Sequence, residues 1–284
     1  LAYRLETVNL LAHVVTRTRK KDVKEWRVIR EPVPEFVSMT PVEERFYSLV
    51  TALVQEYAKR GRGNELFLLS QPQRQMASSM PAALRFWQSR RFEIEEAEAT
   101  GIPEVDRKDQ EVLGPLVGQI VSRSHKFVDL QELYKGDSKY RRFREILVRF
   151  LNENPGQKAV VFSSFRATLE YLAERLDQDG IDSIQLKGGQ PESKAEIIRQ
   201  FMQPEGARIL LSSEVGGEGV DLQFCRVLVN YDLPWNPMRL EQRIGRIDRL
   251  GQMAEKVTIW NLFYAGTIDS RIYERLYEKR QCGS

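Results

Sequence analysis

Two hydrophobic rhythms divide the chain. From Lys158 onward, short apolar and β-branched runs, "KAVVFS" (158–163), "DSIQL" (182–186), "RILLSS" (208–213), "RVLVNYD" (226–232) and "KVTIWNLF" (256–263), alternate with stretches of helical period. Runs this short, apolar at successive positions, fit strands buried on both faces. Between them, "ATLEYLAERLDQDG" (167–180) gathers Leu169, Leu172, Ala173 and Leu176 on one face and stops at Gly180. "PESKAEIIRQFM" (191–202) and "TIDSRIYERLYEK" (267–279) read as helices in the same way. Strands alternating with helices predict right-handed βαβ units, a parallel sheet covered on both faces, and a ligand site at the carboxyl ends of the strands.

Before Lys158 the period is helical. "TPVEERFYSLVTALVQEYAKR" (40–60) has Thr40 as N-cap, Pro41 at the first helical position and Glu43 to close a capping box. Val42, Phe46, Leu49, Val50, Leu53, Val54 and Tyr57 form its apolar stripe. A second helix through "PQRQMASSMPAALRFWQ" is predicted to break or kink at Pro81. "FEIEEAEATGIPEVDRKDQEVL" (92–113), with eight carboxylates against two bases, reads as an exposed loop or frayed helix. "DSKYRRFREILVRFLNENPG" (137–156) is amphipathic through Tyr140, Phe143, Ile146, Leu147, Phe150 and Leu151. The expected organisation is a mostly helical region over 1–136, packed as an insertion or bridge, followed by an α/β domain over 137–284. No internal repeat is visible.

Composition narrows the partners more than the fold. The 284 residues are 42% hydrophobic and 29% charged, an ordinary globular balance. A net charge of +3 means that an anionic partner must be met by local patches. Two such patches stand out: seven bases against two acids from Arg17 to Arg30, and five against one from Lys139 to Arg149. No run of 18 apolar residues spans a membrane. The two cysteines, Cys225 and Cys282, and the absence of a secretory signal point to the cytoplasm. His13 and His125 lie near no other candidate ligand, so no metal site is expected in the chain itself.

Candidate chemistry sits in two loops and one helix. "EVGGEGVDL" (214–222) follows a predicted strand, and its Gly216, Gly217 and Gly219 allow a sharp turn or close approach to a ligand. Ser212 and Ser213 offer hydroxyls and backbone N–H groups to a phosphate, and Asp221 could take a ribose hydroxyl or orient an arginine. "DLPWNP" (232–237) leads into "EQRIGRIDRLGQ" (241–252), with Arg243, Arg246 and Arg249 three apart. Read as a helix, Leu240, Ile244 and Ile247 face a core and Gln242, Arg246 and Arg249 share the opposite side, with Arg243 about 100° away. By itself that polar stripe could equally be a solvated helix face.

In that order, "LLSSEVGGEGVDL", "VLVNYDLPWNP" and "QRIGRIDRLGQ" resemble motifs V and VI of superfamily 2 helicases. "GGEGVDL", "WNP" and "RLGQ" together resemble the Swi/Snf-type DNA translocases, and "QRIGRIDR" resembles their bacterial, RNA-polymerase-associated branch. "KAVVFSSF" resembles motif IV, "VVTRTRKKDV" (14–23) the linker after the first RecA-like lobe, and "DSKYRRFREIL" the lead-in to the second. The likeness covers 137–280, more loosely 1–60, and leaves 61–125 unmatched. Lys194 stands where the family commonly has arginine.

The resemblance implies a RecA-like fold and a role for each matching position. Arg246 and Arg249 would be paired arginine fingers on the γ-phosphate of ATP, with Gln242, Gly219 and Asp221 at the nucleotide and Arg243 bracing the helix. Ser163, Ser164, Arg166, Lys187, Ser212 and Ser213 would contact double-stranded DNA. ATP would come with Mg²⁺ held mainly by an N-terminal RecA-like lobe. No G-x-x-x-x-G-K-[ST] occurs, nor an Asp-Glu pair of the Mg²⁺-holding kind, so the chain on its own is expected to be inactive. RNA polymerase or another DNA-bound complex is the further partner implied, in the bacterial nucleoid. A DEAD-box-like RNA helicase lobe and a non-hydrolysing binding module are the competing classes; "WNP" and "RLGQ" disfavour the first, both arginines and Gln242 the second.

Overall fold

Four-residue apolar runs can be buried at every position only in the middle of a covered sheet, and three of them are. β2 (Ala159–Phe162), β4 (Ile209–Ser212) and β5 (Val227–Asn230) are buried throughout. With β1 (Ile29–Val37), β3 (Ser183–Leu186) and β6 (Lys256–Tyr264) they form one all-parallel sheet of order β1-β6-β5-β2-β4-β3. The chain enters at the β1 edge, crosses to β2 in the middle, runs out to β3 at the far edge, returns to β4, crosses to β5 and ends at β6 beside β1. The reversal opens a crevice at the carboxyl ends of β2, β4 and β5. The structure, a computed structural model, describes residues 28–59, 70–89, 107–234, 236–249, 251–267, 269–271 and 273–274. The linker-like segment 14–23, the basic run through Arg27, the acidic stretch over 92–106 and the end of the last helix lie outside the described residues.

Alternate residues of the central strands serve opposite layers. Ala159 and Val161 pack with α6 (Ser138–Glu153) and α7 (Arg166–Gln178); Val160 and Phe162 pack with α8 (Lys194–Met202) and α10 (Pro237–Ile247). Helices therefore cover both faces, as the alternating pattern predicted. A third core joins α1 (Pro41–Ala58), α2 (Gln71–Ser78), α3 (Met80–Gln88), α4 (Arg107–Ser124) and α5 (Leu130–Gly136). The helix expected to break or kink at Pro81 does break, two residues earlier at Ser79, with Pro81 in the first turn of α3. The expected capping box of α1 forms: Glu43 accepts from the Thr40 N–H at 2.7 Å. That carboxylate is fully buried and also takes Ser138 N–H at 3.0 Å and the Tyr264 hydroxyl at 2.9 Å, so one N-terminal cap joins α1, α6 and β6.

β1 adds a strand to the mostly helical region before residue 137. "IREPVPEFV" lacks a helical period, and its prolines argue against a central strand; it is an edge strand. Ile29 N–H donates to Glu255 and Val37 carbonyl accepts from Ala265, so odd positions bond β6 and even positions turn outward. Pro32 and Pro34 fall on those outward positions, where a missing N–H breaks no ladder and leaves little edge for another strand to join.

Candidate functional site

The arginine helix begins where Asn236 Oδ1 accepts the Met238 N–H at 2.9 Å and Pro237 fills the first helical position. It ends at Ile247, so Arg249 is not on it. This departs from the single stripe read from sequence: Gln242 and Arg246 project together, while the chain turns at Asp248 and carries Arg249 away. Arg249 is exposed and forms an ion pair with Asp221.

Three arginines remain on α10, and their surroundings separate them. Arg243 is 3% exposed. It donates to Asn230 Oδ1 (3.0 Å), the Asp232 carbonyl (2.8 Å), Ser164 Oγ (3.0 Å) and Glu214 Oε1 (2.8 Å), and lies over the Phe162 ring. Arg239, one turn earlier, takes the other Glu214 oxygen at 2.8 Å. Arg246 has no hydrogen-bond or ion-pair partner for its guanidinium among the described residues. It lines, with Gln242, Arg239, Asn236, Glu214 and Glu218, a cleft of about 380 Å³ at the carboxyl edge of the sheet. An unpaired, half-buried guanidinium beside an exposed amide can receive a planar anion in bidentate fashion.

The glycine loop has a structural task first. Glu214–Gly217 makes one helical turn, α9, capped by Ser213 Oγ, which accepts from Gly216 N–H at 3.0 Å. A Cβ on Gly216 would lie 2.1 Å from the Leu186 carbonyl oxygen, and one on Gly217 2.8 Å from the Phe162 ring, so glycine is what lets this turn press onto β3 and β2. Gly219 has a φ of +78°, open to glycine without strain. Lys194, at the start of α8, donates to the Val215 and Glu218 carbonyls at 2.7 and 3.1 Å and fastens the turn from outside. Gly219 and Asp221 do not line the Arg246 cleft; they border a neighbouring, largely apolar groove with Ile198, Met202 and Phe224. Glu218 stands between the two.

The serines expected at DNA are turned inward. Ser163 and Ser212 are fully buried and Ser164 and Ser213 nearly so. Ser163 Oγ donates to Asp232, Ser164 Oγ accepts from Arg243, and Ser212 Oγ donates to the Ser213 carbonyl at 3.0 Å. Arg166 and Lys187 are accessible at the same sheet edge; Arg166 donates to the Gly188 carbonyl, and Lys187 meets Glu170 at 3.3 Å. The basic patch read at Lys139–Arg149 is partly taken up by the fold, with Arg141 and Arg149 left exposed. Lys139 is fully buried and donates to the Ala77 carbonyl at 2.6 Å, while Arg142 and Arg144 pair with Glu35 and Asp179. Periodicity alone cannot see this, because charges on an amphipathic helix find partners only once other elements arrive.

Sequence reasoning missed Glu214 and Asp232. Asp232, 2% exposed, accepts from Ser78 Oγ at 2.6 Å and Ser164 N–H at 2.8 Å. Burial pushes its carboxyl up, but Arg243 with the Ser163, Ser78 and Ser164 hydrogen bonds outweighs that and holds it below the usual carboxylate range. Both acids lie in quoted motifs, each just after a strand; that position was the available signal. Among the described residues no group of three His, Cys, Asp or Glu could hold a metal ion.

Residues 138–251 match the family described as the helicase conserved C-terminal domain. That match and the six-stranded parallel sheet make this part of the chain a helicase C-terminal, RecA-like lobe. The chain is 31% identical over 275 residues to the uncharacterized ATP-dependent helicase YqhH of Bacillus subtilis, covering 95% of this chain and 44% of that protein. It is 40% identical over 111 residues to the RNA polymerase-associated protein RapA of Proteus mirabilis, 38% of this chain and 12% of that protein. The lobe thus spans less than half the length of these relatives. The Sulfolobus solfataricus SWI2/SNF2 ATPase core in complex with dsDNA shares its fold at a TM-score of 0.52 and 17% identity, over 89% of this chain and 45% of that one. No helix among the described residues is long and apolar enough to cross a membrane.

Proposed function

We propose that this lobe is the arginine-supplying and DNA-contacting half of an ATP-dependent double-stranded DNA translocase that remodels protein–DNA complexes. One observation carries the reading: of the three arginines on α10, two are tied to Glu214 and Arg246 alone is left unpaired at the cleft. In this reading ATP and Mg²⁺ are held mainly by an N-terminal RecA-like lobe with a phosphate loop. ATP supplies the transferable γ-phosphoryl group. Arg246 meets the charge on its phosphates, Gln242 flanks them, and Arg243 with Glu214 keeps the helix from yielding. Arg249 is the second finger, released from Asp221 as the lobes close. DNA runs across the loops after β2, β3 and β4. Arg166 and Lys187 take phosphates there, and Ser163, Ser164, Ser212 and Ser213 shape the loops from beneath. A DNA-bound complex such as transcribing RNA polymerase, in a bacterial nucleoid, is the target.

The test needs the two lobes in one protein. Arg246→Ala is expected to lower DNA-stimulated ATP turnover by about 10³-fold or more, the usual worth of an arginine finger. ATP affinity should change little, and Arg246→Lys should not restore turnover, because a point charge lacks the planar fork. Parental turnover in Arg246→Ala would overturn the reading.

A further inference from the structure

The helical region reaches the arginine helix through one buried carboxylate. Asp232 begins the loop between β5 and α10. On one side it accepts from Ser78 Oγ, at the last residue of α2; Ser78 also shares a hydrogen bond of 2.8 Å with Thr168 on α7. On the other side its carbonyl takes Arg243 at 2.8 Å, and its carboxylate stands 3.6 Å from the same guanidinium. The end of α2 is fixed a second time by Lys139, through the Ala77 carbonyl. Arg74, on the same helix, is 6% exposed and lies over the Phe165 ring, next to the Ser163–Ser164 turn. A helix that belongs to another core is thus hydrogen-bonded to the loop that leads into α10. Ser78 is linked through Asp232 to Arg243, which lies one turn before Arg246 on α10.

We infer that Asp232 is a positioning residue through which α2 sets the pose of α10 and so of Arg246. The proposal rests on Arg246 acting at the nucleotide. A shift of α2, from whatever the helical region binds, would loosen or tighten the hold on Arg243 while leaving the nucleotide-facing side chains untouched. Regulation would then act on turnover with little effect on nucleotide affinity.

Ser78→Ala removes the α2 arm and leaves Asp232 its bonds to Ser163, Ser164 and Arg243. In the 284-residue chain, amide hydrogen exchange over 237–247 should become about five-fold faster, the scale of one lost hydrogen bond. Asp232→Asn, which keeps the shape and removes the charge facing Arg243, should act in the same direction. Unchanged exchange over 237–247 in both variants overturns the proposal. In the two-lobed protein, Ser78→Ala should lower kcat and leave the KM for ATP in place. Added to Arg246→Ala, it should lower kcat no further. An equal loss in both backgrounds would mean that Ser78 acts elsewhere and would also overturn it. Parental turnover in Arg246→Ala alone would instead sink the finger assignment, and the exchange result would still decide whether α2 holds α10.

Discussion

Arg243 and Lys139 show how differently two buried cations can be used. Arg243 satisfies both Glu214 and the Asp232 backbone from one rigid fork, which a lysine could not span. Removing it leaves Glu214 with Arg239 as its ion-pair partner and Asp232 with only its serine hydrogen bonds, and losing one partner of a buried pair typically costs about 3–5 kcal/mol. Arg243→Ala should therefore show a lower denaturant midpoint, whereas Arg246→Ala, which has no partner to lose, should keep the parental one. Lys139 is the opposite case. Burial holds its amine down to about 8, against the pull of Asp269, Asp232, Asp137 and Glu43. The unfolded amine titrates near 10.4. Between the two values the unfolded chain binds more protons than the folded one, so this group makes the fold more stable as pH rises from about 8 to 10. Lys139→Met should remove that rise, seen by comparing thermal midpoints of the two proteins across the same pH range.

At the scale of elements, the turn α9 governs the site more than its glycines suggest. Its four residues set Glu214 between Arg239 and Arg243 on α10 and lean on the ends of β2 and β3. Gly216→Ala would drive a Cβ into the Leu186 carbonyl, which is backbone and cannot step aside. The expected cost is about 1–3 kcal/mol of stability, the usual range for overpacking. Because Glu214 moves with the turn, turnover in the two-lobed protein should fall as well. Gly219→Ala meets open space and suffers only from its positive φ, so its loss should be smaller. A denaturation series on the two variants distinguishes them. The helix boundary at Ile247 matters in the same way. Two residues of overreach in reading that helix would have placed Arg249 beside Arg246, where the fold places it beside Asp221.

For the whole molecule, the expected behaviour is that of half a motor. The isolated chain should bind duplex DNA weakly and without sequence preference, and should not turn over ATP with or without DNA. Binding should fall steeply between about 50 and 200 mM salt, as counterion release requires. Replacing both Arg166 and Lys187 with alanine should reduce the slope of log affinity against log salt by about two, one per phosphate contact. An anisotropy titration at several salt concentrations reads this. An unchanged slope would move DNA off the loops after β2 and β3. DNA-stimulated hydrolysis by the pure chain would show that no second lobe is needed.

The five strands from Ala159 onward, their parallel sense and the layers on their faces were determined by sequence alone, because apolar runs and helical periods are local signals. The capping box of Thr40 and Glu43 was legible for the same reason, and the order of the loop motifs was enough to find the sheet edge that carries the cleft. What only the tertiary structure decided was the fate of the charges. Lys139 sits in a buried seam and Arg142 on Glu35, whereas Arg246 is left unpaired at the cleft, although all three are basic residues on amphipathic helices. The strand Ile29–Val37 was hidden too, since its two prolines speak against a strand until the ladder shows them on the outward side. Asp232 gives the clearest physical reason. Its partners are Ser78, Ser163, Ser164 and Arg243, and the most distant of them is 154 positions away in sequence. Pairing over that separation is set by which elements pack together, and no local pattern encodes it.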